Sequence, residues 1–261
     1  MSTPTTTSRL DTTELEQRVK TMYEEVALEP ENEFHFETGR ALAERLGYPA
    51  DRLDRIPASA IDSFAGVGYF LDLAAIGAGE TVLDLGSGSG TDSFLAARAA
   101  GGDSRVIGVD MTDAQLAKAR RLADQHGFTG VEFRKGYIEQ PPVDPGSCDC
   151  IVSNGVINLS PDKPAVFAAA AAALRTGGRL ALADIVTAQQ LPEGVTCDAA
   201  LWAACIGGAM QRDHYRAAIE NAGFEIEAWR ENAAYRFVST RADNATRKYG
   251  VTSISLLARR R

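Results

Sequence analysis

Cysteine and histidine are scarce here, at four and three among 261 residues. Cys148, Cys150, Cys197 and Cys205 do not fall into spaced Cys-x-x-Cys pairs, so neither a structural zinc site nor any other resident metal is expected. So few thiols in so long a chain also exclude a disulfide framework. Long hydrophobic runs are missing too. No stretch reaches the roughly 18 uninterrupted apolar residues of a membrane span, and the opening Met1-Ser-Thr-Pro-Thr-Thr-Thr-Ser8 lacks the apolar block of a secretory signal. The expectation is a reduced, cytoplasmic protein with no membrane partner. Positive charge is short: 27 Lys and Arg stand against 35 Asp and Glu, for a net charge of −8. Nucleic acids call for a basic face and are not expected as partners. A cationic cofactor or a small molecule suits an acidic protein. What the chain does have is a hydrophobic fraction of 45%, ample for a full core.

The pattern divides the chain into four stretches. Residues 1–10 form a Thr/Ser-rich tail expected to be disordered. Residues 11–75 read as a helical lid. Leu15, Val19, Met22 and Val26 recur at helical spacing behind the capping signal Asp11-Thr-Thr-Glu14, and a second helix stops at Gly47. Residues 76–186 alternate strand and helix. Strands are expected over 81–85, 105–109, 131–135, 148–153 and 179–184, with helices over 91–100, 112–126 and 163–174. Residues 187–261 change character: a loop and helix over 191–210, a helix over 213–222, and strands over 224–230 and 253–258. The fold class is α/β, a doubly wound, mostly parallel seven-stranded sheet with an N-terminal helical lid and a C-terminal α+β extension that completes the sheet.

Thr81-Val-Leu-Asp-Leu-Gly-Ser-Gly-Ser-Gly90 reads as a buried strand running into a glycine turn. Val106-Ile-Gly-Val-Asp110 follows as a second strand ending in an acid. Such a pair holds a nucleoside, because glycines let backbone N–H groups approach the ligand and the second acid takes the ribose hydroxyls. A dinucleotide fingerprint counted from Gly86 needs glycine at position 91, which is Thr. The spacing Asp84-x-Gly86-x-Gly88-x-Gly90 instead resembles the first motif of class I S-adenosylmethionine-dependent methyltransferases. A carboxylate at Asp84 would repel a pyrophosphate and suits the cationic methionine end of that cofactor.

Longer stretches carry a more specific resemblance. Val106–Thr112, Val131-Glu-Phe-Arg134, Gly136-Tyr-Ile-Glu139, Ser153-Asn-Gly-Val-Ile-Asn-Leu-Ser-Pro-Asp-Lys163, Gly177-Gly-Arg-Leu180, Ala183-Asp-Ile-Val186 and Leu201–Ala209 resemble arsenite methyltransferases. The resemblance implies a Rossmann-like methyltransferase fold with S-adenosylmethionine as cofactor. It assigns cofactor binding to Asp84, Gly86, Ser87, Gly88, Gly90, Asp110, Met111, Gly136, Tyr137, Ile138 and Ser153. It also marks a departure. That family holds trivalent arsenic with cysteine thiolates, since a soft metalloid needs soft ligands. One of those positions is Gly155 here, the stretch 61–69 has no cysteine, and only Cys205 remains.

A single thiolate cannot supply the sulfur site, so the expected acceptor is a small organic molecule, methylated by in-line transfer. His35, Tyr23 and Asn154 are the candidate catalytic residues. His35 lies in Asn32-Glu-Phe-His-Phe36, and a base is needed only if the acceptor arrives protonated. Phe36, Phe64, Tyr69, Asn158, Trp202, Cys205 and Tyr235 are the candidate substrate pocket, whose aromatics would suit a flat or cationic acceptor. His126 and His214 read as helix-end surface residues. Three other readings stay open: arsenite methyltransferase, a nicotinamide-dependent oxidoreductase, and a non-catalytic cofactor-binding protein. A homodimer is compatible with the chain.

Overall fold

In the computed structural model, residues 10–102, 104–197, 202, 206–238 and 240–261 are described. The tail at 1–9 and Cys205 lie outside the described residues.

The chain opens on α1 (Thr12–Leu28). The Asp11 carboxylate accepts the N–H groups of Thr13 and Glu14 at 3.0 Å, the N-cap that the sequence signalled. Helix α2 (Gly39–Leu46) stops at Gly47, whose φ of 104° suits a residue without Cβ. Three short helices follow: α3 (Ala50–Leu53), α4 (Ala58–Asp62) and α5 (Leu71–Ala74). The alternating unit is β1 (Thr81–Leu85), α6 (Thr91–Ala100), β2 (Arg105–Asp110), α7 (Asp113–Gln125), β3 (Val131–Lys135), β4 (Cys148–Asn154), α8 (Lys163–Ala173) and β5 (Leu174–Thr187). After the turn α9 (Glu193–Thr196), the chain finishes as β6 (Met210–Gln211), α10 (Arg212–Asn221), β7 (Phe224–Glu231), α11 (Thr240–Tyr249) and β8 (Val251–Arg260).

The strands pair in the order β3-β2-β1-β4-β5-β8-β7, with the two-residue β6 beside β5. The pairs are parallel through β5, and β8 is antiparallel to both β5 and β7. All seven expected strands are present in one sheet, with one short strand added. Helices cover both faces, which is why β1, β2 and β4 are apolar almost without a break. Side chains alternate across the sheet. Val82, Val106 and Val152 enter one core with Phe94 and Leu116, while Leu83, Ile107 and Ile151 enter the other with Phe167 and Tyr215.

Three differences from the sequence expectation have local causes. Strand β5 is longer than 179–184, because Leu174 already pairs with Cys148 and the strand runs on to Thr187 beside β8. Strand β8 likewise extends beyond 253–258 at both ends, held by its two neighbours. Helix α11 was not expected, since Thr240-Arg-Ala-Asp-Asn-Ala-Thr-Arg-Lys-Tyr249 is mostly polar and carries few large apolar residues. Among the described residues no helix is long and apolar enough to cross a membrane.

Helix α1 lies against α7 near the carboxyl ends of the parallel strands. Gln115 donates to the Tyr23 carbonyl at 2.8 Å, and Lys118 donates to the Ala27 carbonyl at 2.9 Å and to Ser63 Oγ at 2.7 Å. Ser63 in turn donates to the Val26 carbonyl at 2.8 Å.

Candidate functional site

Beyond β1 the backbone must turn sharply under whatever lies above the sheet. Gly86, Gly88 and Gly90 have φ of 73°, 52° and 97°, the left-handed region that favours glycine. A Cβ on Gly86 would stand 2.4 Å from Val156 Cγ2. The turn is tied to the tip of β2. The N–H groups of Gly86 and Ser87 donate to the Val109 carbonyl at 2.8 and 3.0 Å. Gly88 N–H donates to Asp110 Oδ2 at 2.9 Å, and Thr112 N–H to Asp110 Oδ1 at 2.8 Å. Asp110 is thus held by the backbone of both the glycine turn and the start of α7.

Above this turn lies a cavity of about 320 Å³, with α1 across it. Asp84 at the end of β1, Asp92 at the start of α6 and Asp110 at the end of β2 all line it, and Glu16 and Glu139 join them. No lysine, arginine or histidine is among the described lining residues. Burial and the neighbouring Asp92 charge push the Asp84 carboxyl up to about 8, although Ser93 Oγ donates to it at 2.6 Å. Burial raises Asp92 to about 6, opposed by hydrogen bonds from Tyr48 Oη at 2.7 Å and Asn154 Nδ2 at 3.1 Å. Asp110 is also raised by burial, against its backbone donors. Three acids held away from water without a cation are poised for a cationic ligand.

Of the residues expected to bind cofactor, Asp84, Gly86, Ser87, Gly88, Asp110, Met111, Gly136, Tyr137 and Ile138 all line this cavity. Gly90 and Ser153 do not. Gly90 packs beneath it, where a Cβ would stand 2.8 Å from Phe133 and Phe94, and Ser153 Oγ is bonded to the Leu85 carbonyl at 2.9 Å. Tyr23, Phe64 and Asn154 line it as well. Asn154 is fully engaged: its Oδ1 accepts Val67 N–H at 2.8 Å, and its Nδ2 reaches Tyr48 Oη, the Gly68 carbonyl and Asp92. That makes it a brace for Asp92 and the 66–68 backbone rather than a free base.

The remaining candidates stand elsewhere. His35 lies outside the lining, its ring edge-on to Phe36 at 4.8 Å. Phe36 stacks behind Tyr23 at 6.0 Å. Tyr69 packs on Tyr48 at 4.8 Å, and Tyr235 on Phe237 at 5.1 Å. Asn158 is fully buried, and its side-chain amide atoms have no partner. Trp202 lines a second hollow with His214 and Lys163. Lys163 Nζ sits 4.9 Å from the Trp202 ring and donates to the carbonyls of Asn158 and Ser160, 3.0 and 2.9 Å away; burial lowers it to about 8. Cys148 and Cys150 are buried at the far end of β4, and burial pushes Cys150 up to about 12.

Sequence reasoning missed Asp92, Tyr48, Glu16, Gln115 and Ser160. Asp92 reads as a first-turn acid satisfying a helix dipole. Glu16 reads as one of several charges on an amphipathic helix. In the structure it accepts from Tyr137 Oη at 2.7 Å and pairs with Lys20 at 2.5 Å, which fastens α1 over the cavity. Ser160 donates to Glu139.

These residues fit a sulfonium nucleoside. The cavity is acidic, the glycine turn clears space for it, and Ser87 Oγ is buried on its wall without a partner. Among the described residues no group of three His, Cys, Asp or Glu side chains is set to hold a metal ion.

Comparison with known proteins agrees with the geometry. The sequence profile described as "Methyltransferase domain" matches residues 76–223. The arsenite methyltransferase of Halobacterium salinarum is 41% identical over 204 residues, covering 78% of this chain and 52% of that protein. The chain thus spans about half the length of such curated relatives. The crystal structure of an arsenic(III) S-adenosylmethionine methyltransferase from Chlamydomonas reinhardtii superposes with a TM-score of 0.65 at 28% identity, covering 85% of this chain and 73% of that one. Geranyl diphosphate C-methyltransferase from Streptomyces coelicolor A3(2) shares the fold, with a TM-score of 0.69 at 18% identity over 97% of this chain and 100% of that one.

Proposed function

The chain belongs to the methyltransferase-domain family, and from that premise we propose that it transfers a methyl group from S-adenosylmethionine to a small organic acceptor. One observation carries the reading: acids at the tips of two adjacent parallel strands, Asp84 and Asp110, face one cavity across a glycine turn.

When bound, S-adenosylmethionine supplies an electrophilic methyl carbon on a positively charged sulfur. The chain's own residues bind, orient and exclude water. Asp110 accepts from the ribose hydroxyls. Gly136, Tyr137 and Ile138 flank the adenine. Asp84 faces the cationic methionine end, and the Gly86–Gly88 backbone gives it room. Helix α1, fastened through Glu16 and Tyr137, keeps bulk water from the reacting atoms. Alignment and desolvation are most of what such a displacement needs, because the leaving group is already good.

Arsenite is the second reading, favoured by the named relatives. The thiols speak against it. Gly155, where the resemblance places one arsenic-binding cysteine, has φ of 70°, and a Cβ there would meet Val67 at 3.1 Å. Cys148 and Cys150 are buried in protonated form away from the cavity.

The test is incubation with methyl-labelled S-adenosylmethionine and either a cell extract or arsenite with glutathione. Label entering an organic metabolite is expected. Label entering arsenic alone would overturn the organic acceptor, and no transfer at all would overturn the activity.

A further inference from the structure

Resting on that reading, we infer that the methyl acceptor is a small amine on an apolar body, and that carboxylates and phosphates are turned away from this site. Five acids line the cavity: Asp84, Asp92, Asp110, Glu16 and Glu139. Not one described lining residue is basic. Lysines beside the cavity are already engaged, Lys20 with Glu16 and Tyr137, Lys118 with the Ala27 carbonyl and Ser63, and Lys163 with the carbonyls of Asn158 and Ser160. S-adenosylmethionine carries one net positive charge, from its sulfonium, ammonium and carboxylate. With Glu16 matched by Lys20, the cofactor still leaves most of the charge on the other four acids unmatched. An anionic acceptor would enter a poorly solvated space already crowded with its own sign.

One side of the wall is apolar, through Leu15, Val19, Phe64, Val156 and Leu159. That surface takes a hydrocarbon body. Ser87, nine-tenths buried with a partnerless hydroxyl on the same wall, independently marks the cavity as one that meets a ligand.

The charge flow suits the wall. The acceptor enters as an ammonium and gives one proton to a lining carboxylate; the freed nitrogen lone pair then forms the bond to the methyl carbon while the carbon–sulfur bond breaks, its electron pair staying on sulfur. Positive charge passes from sulfur to nitrogen, still facing the carboxylates, and the amine proton then leaves to water. A carboxylate would not present a growing cation to these acids.

The experiment uses the full chain saturated with S-adenosylhomocysteine; binding of that nucleoside is measured first, and its failure would count against the proposed function rather than the acceptor class. Phenethylamine, 2-phenylethanol and 3-phenylpropanoate are then titrated separately, with and without magnesium, and followed by ligand-observed nuclear magnetic resonance. The amine is expected to bind at least tenfold tighter than either of the others and to weaken as salt is raised. Equal or tighter binding of the alcohol or the carboxylate, magnesium-dependent carboxylate binding, or no binding by any of the three would overturn the inference.

Discussion

Loading the cofactor site should expel a proton, and Asp84 is its source. With its carboxyl pushed up to about 8, roughly nine in ten molecules hold that proton at pH 7, whereas Asp92 at about 6 contributes about a tenth of a proton. A cation beside Asp84 stabilises the charged form and drives the proton off. Binding of S-adenosylhomocysteine, through its ammonium, should therefore release close to one proton per site at pH 7. Affinity should rise toward tenfold per pH unit below pH 8, about 1.4 kcal/mol per unit. The sign for the empty protein is opposite. An acid whose folded value lies above its unfolded value loses stability as pH climbs from about 4 to about 8, so the empty fold weakens over the window in which the ligand tightens. Calorimetry in two buffers of different ionisation heat counts the protons. Asp84→Asn should cut the release to about a tenth of a proton, the share left to Asp92, and flatten the pH dependence. Binding without proton release in the parent protein, or undiminished release in Asp84→Asn, would refute the reasoning.

Asp110→Ala should weaken S-adenosylhomocysteine binding by about 1–3 kcal/mol, because ribose hydroxyls lose their acceptor; unchanged affinity by calorimetry would count against the assignment. Tyr48→Phe removes a donor from buried Asp92 and raises that acid further, so it should destabilise the fold by about 1–3 kcal/mol at pH 8 and by less at pH 5, where Asp92 is protonated. Urea unfolding at both pH values checks this, and equal losses would contradict it. Gly86→Ala forces a left-handed residue against Val156 and should cost about 1–3 kcal/mol of stability together with most cofactor affinity; thermal unfolding and calorimetry read the two effects.

Much of the sheet was legible because a parallel strand covered on both faces must be apolar along its length, and its tip must turn on glycine. The same local logic pointed to Asp84 and Asp110, and the family resemblance to the 136–138 loop. It could not give Asp92, since the partners that define its role, Tyr48 and Asn154, stand 44 and 62 residues away in the chain. Nor could it separate lining aromatics from packing ones. Tyr23 and Phe64 face the cavity while Phe36 stacks on Tyr23 and Tyr69 packs on Tyr48, a difference set by how α1 and the 61–70 segment dock. Asn158, expected in the substrate pocket, is instead buried outside the cavity lining, its side-chain amide atoms without a partner.

Helix α1 is pinned through side chains such as Gln115, Lys118 and Tyr137, with no ladder of strand hydrogen bonds behind it. A fastening of that kind loosens well before a seven-strand sheet does. Mild denaturant or modest warming should therefore make the protein drop its nucleoside while far-ultraviolet circular dichroism still reports an intact core, so that shelf life as a catalyst is shorter than shelf life as a fold.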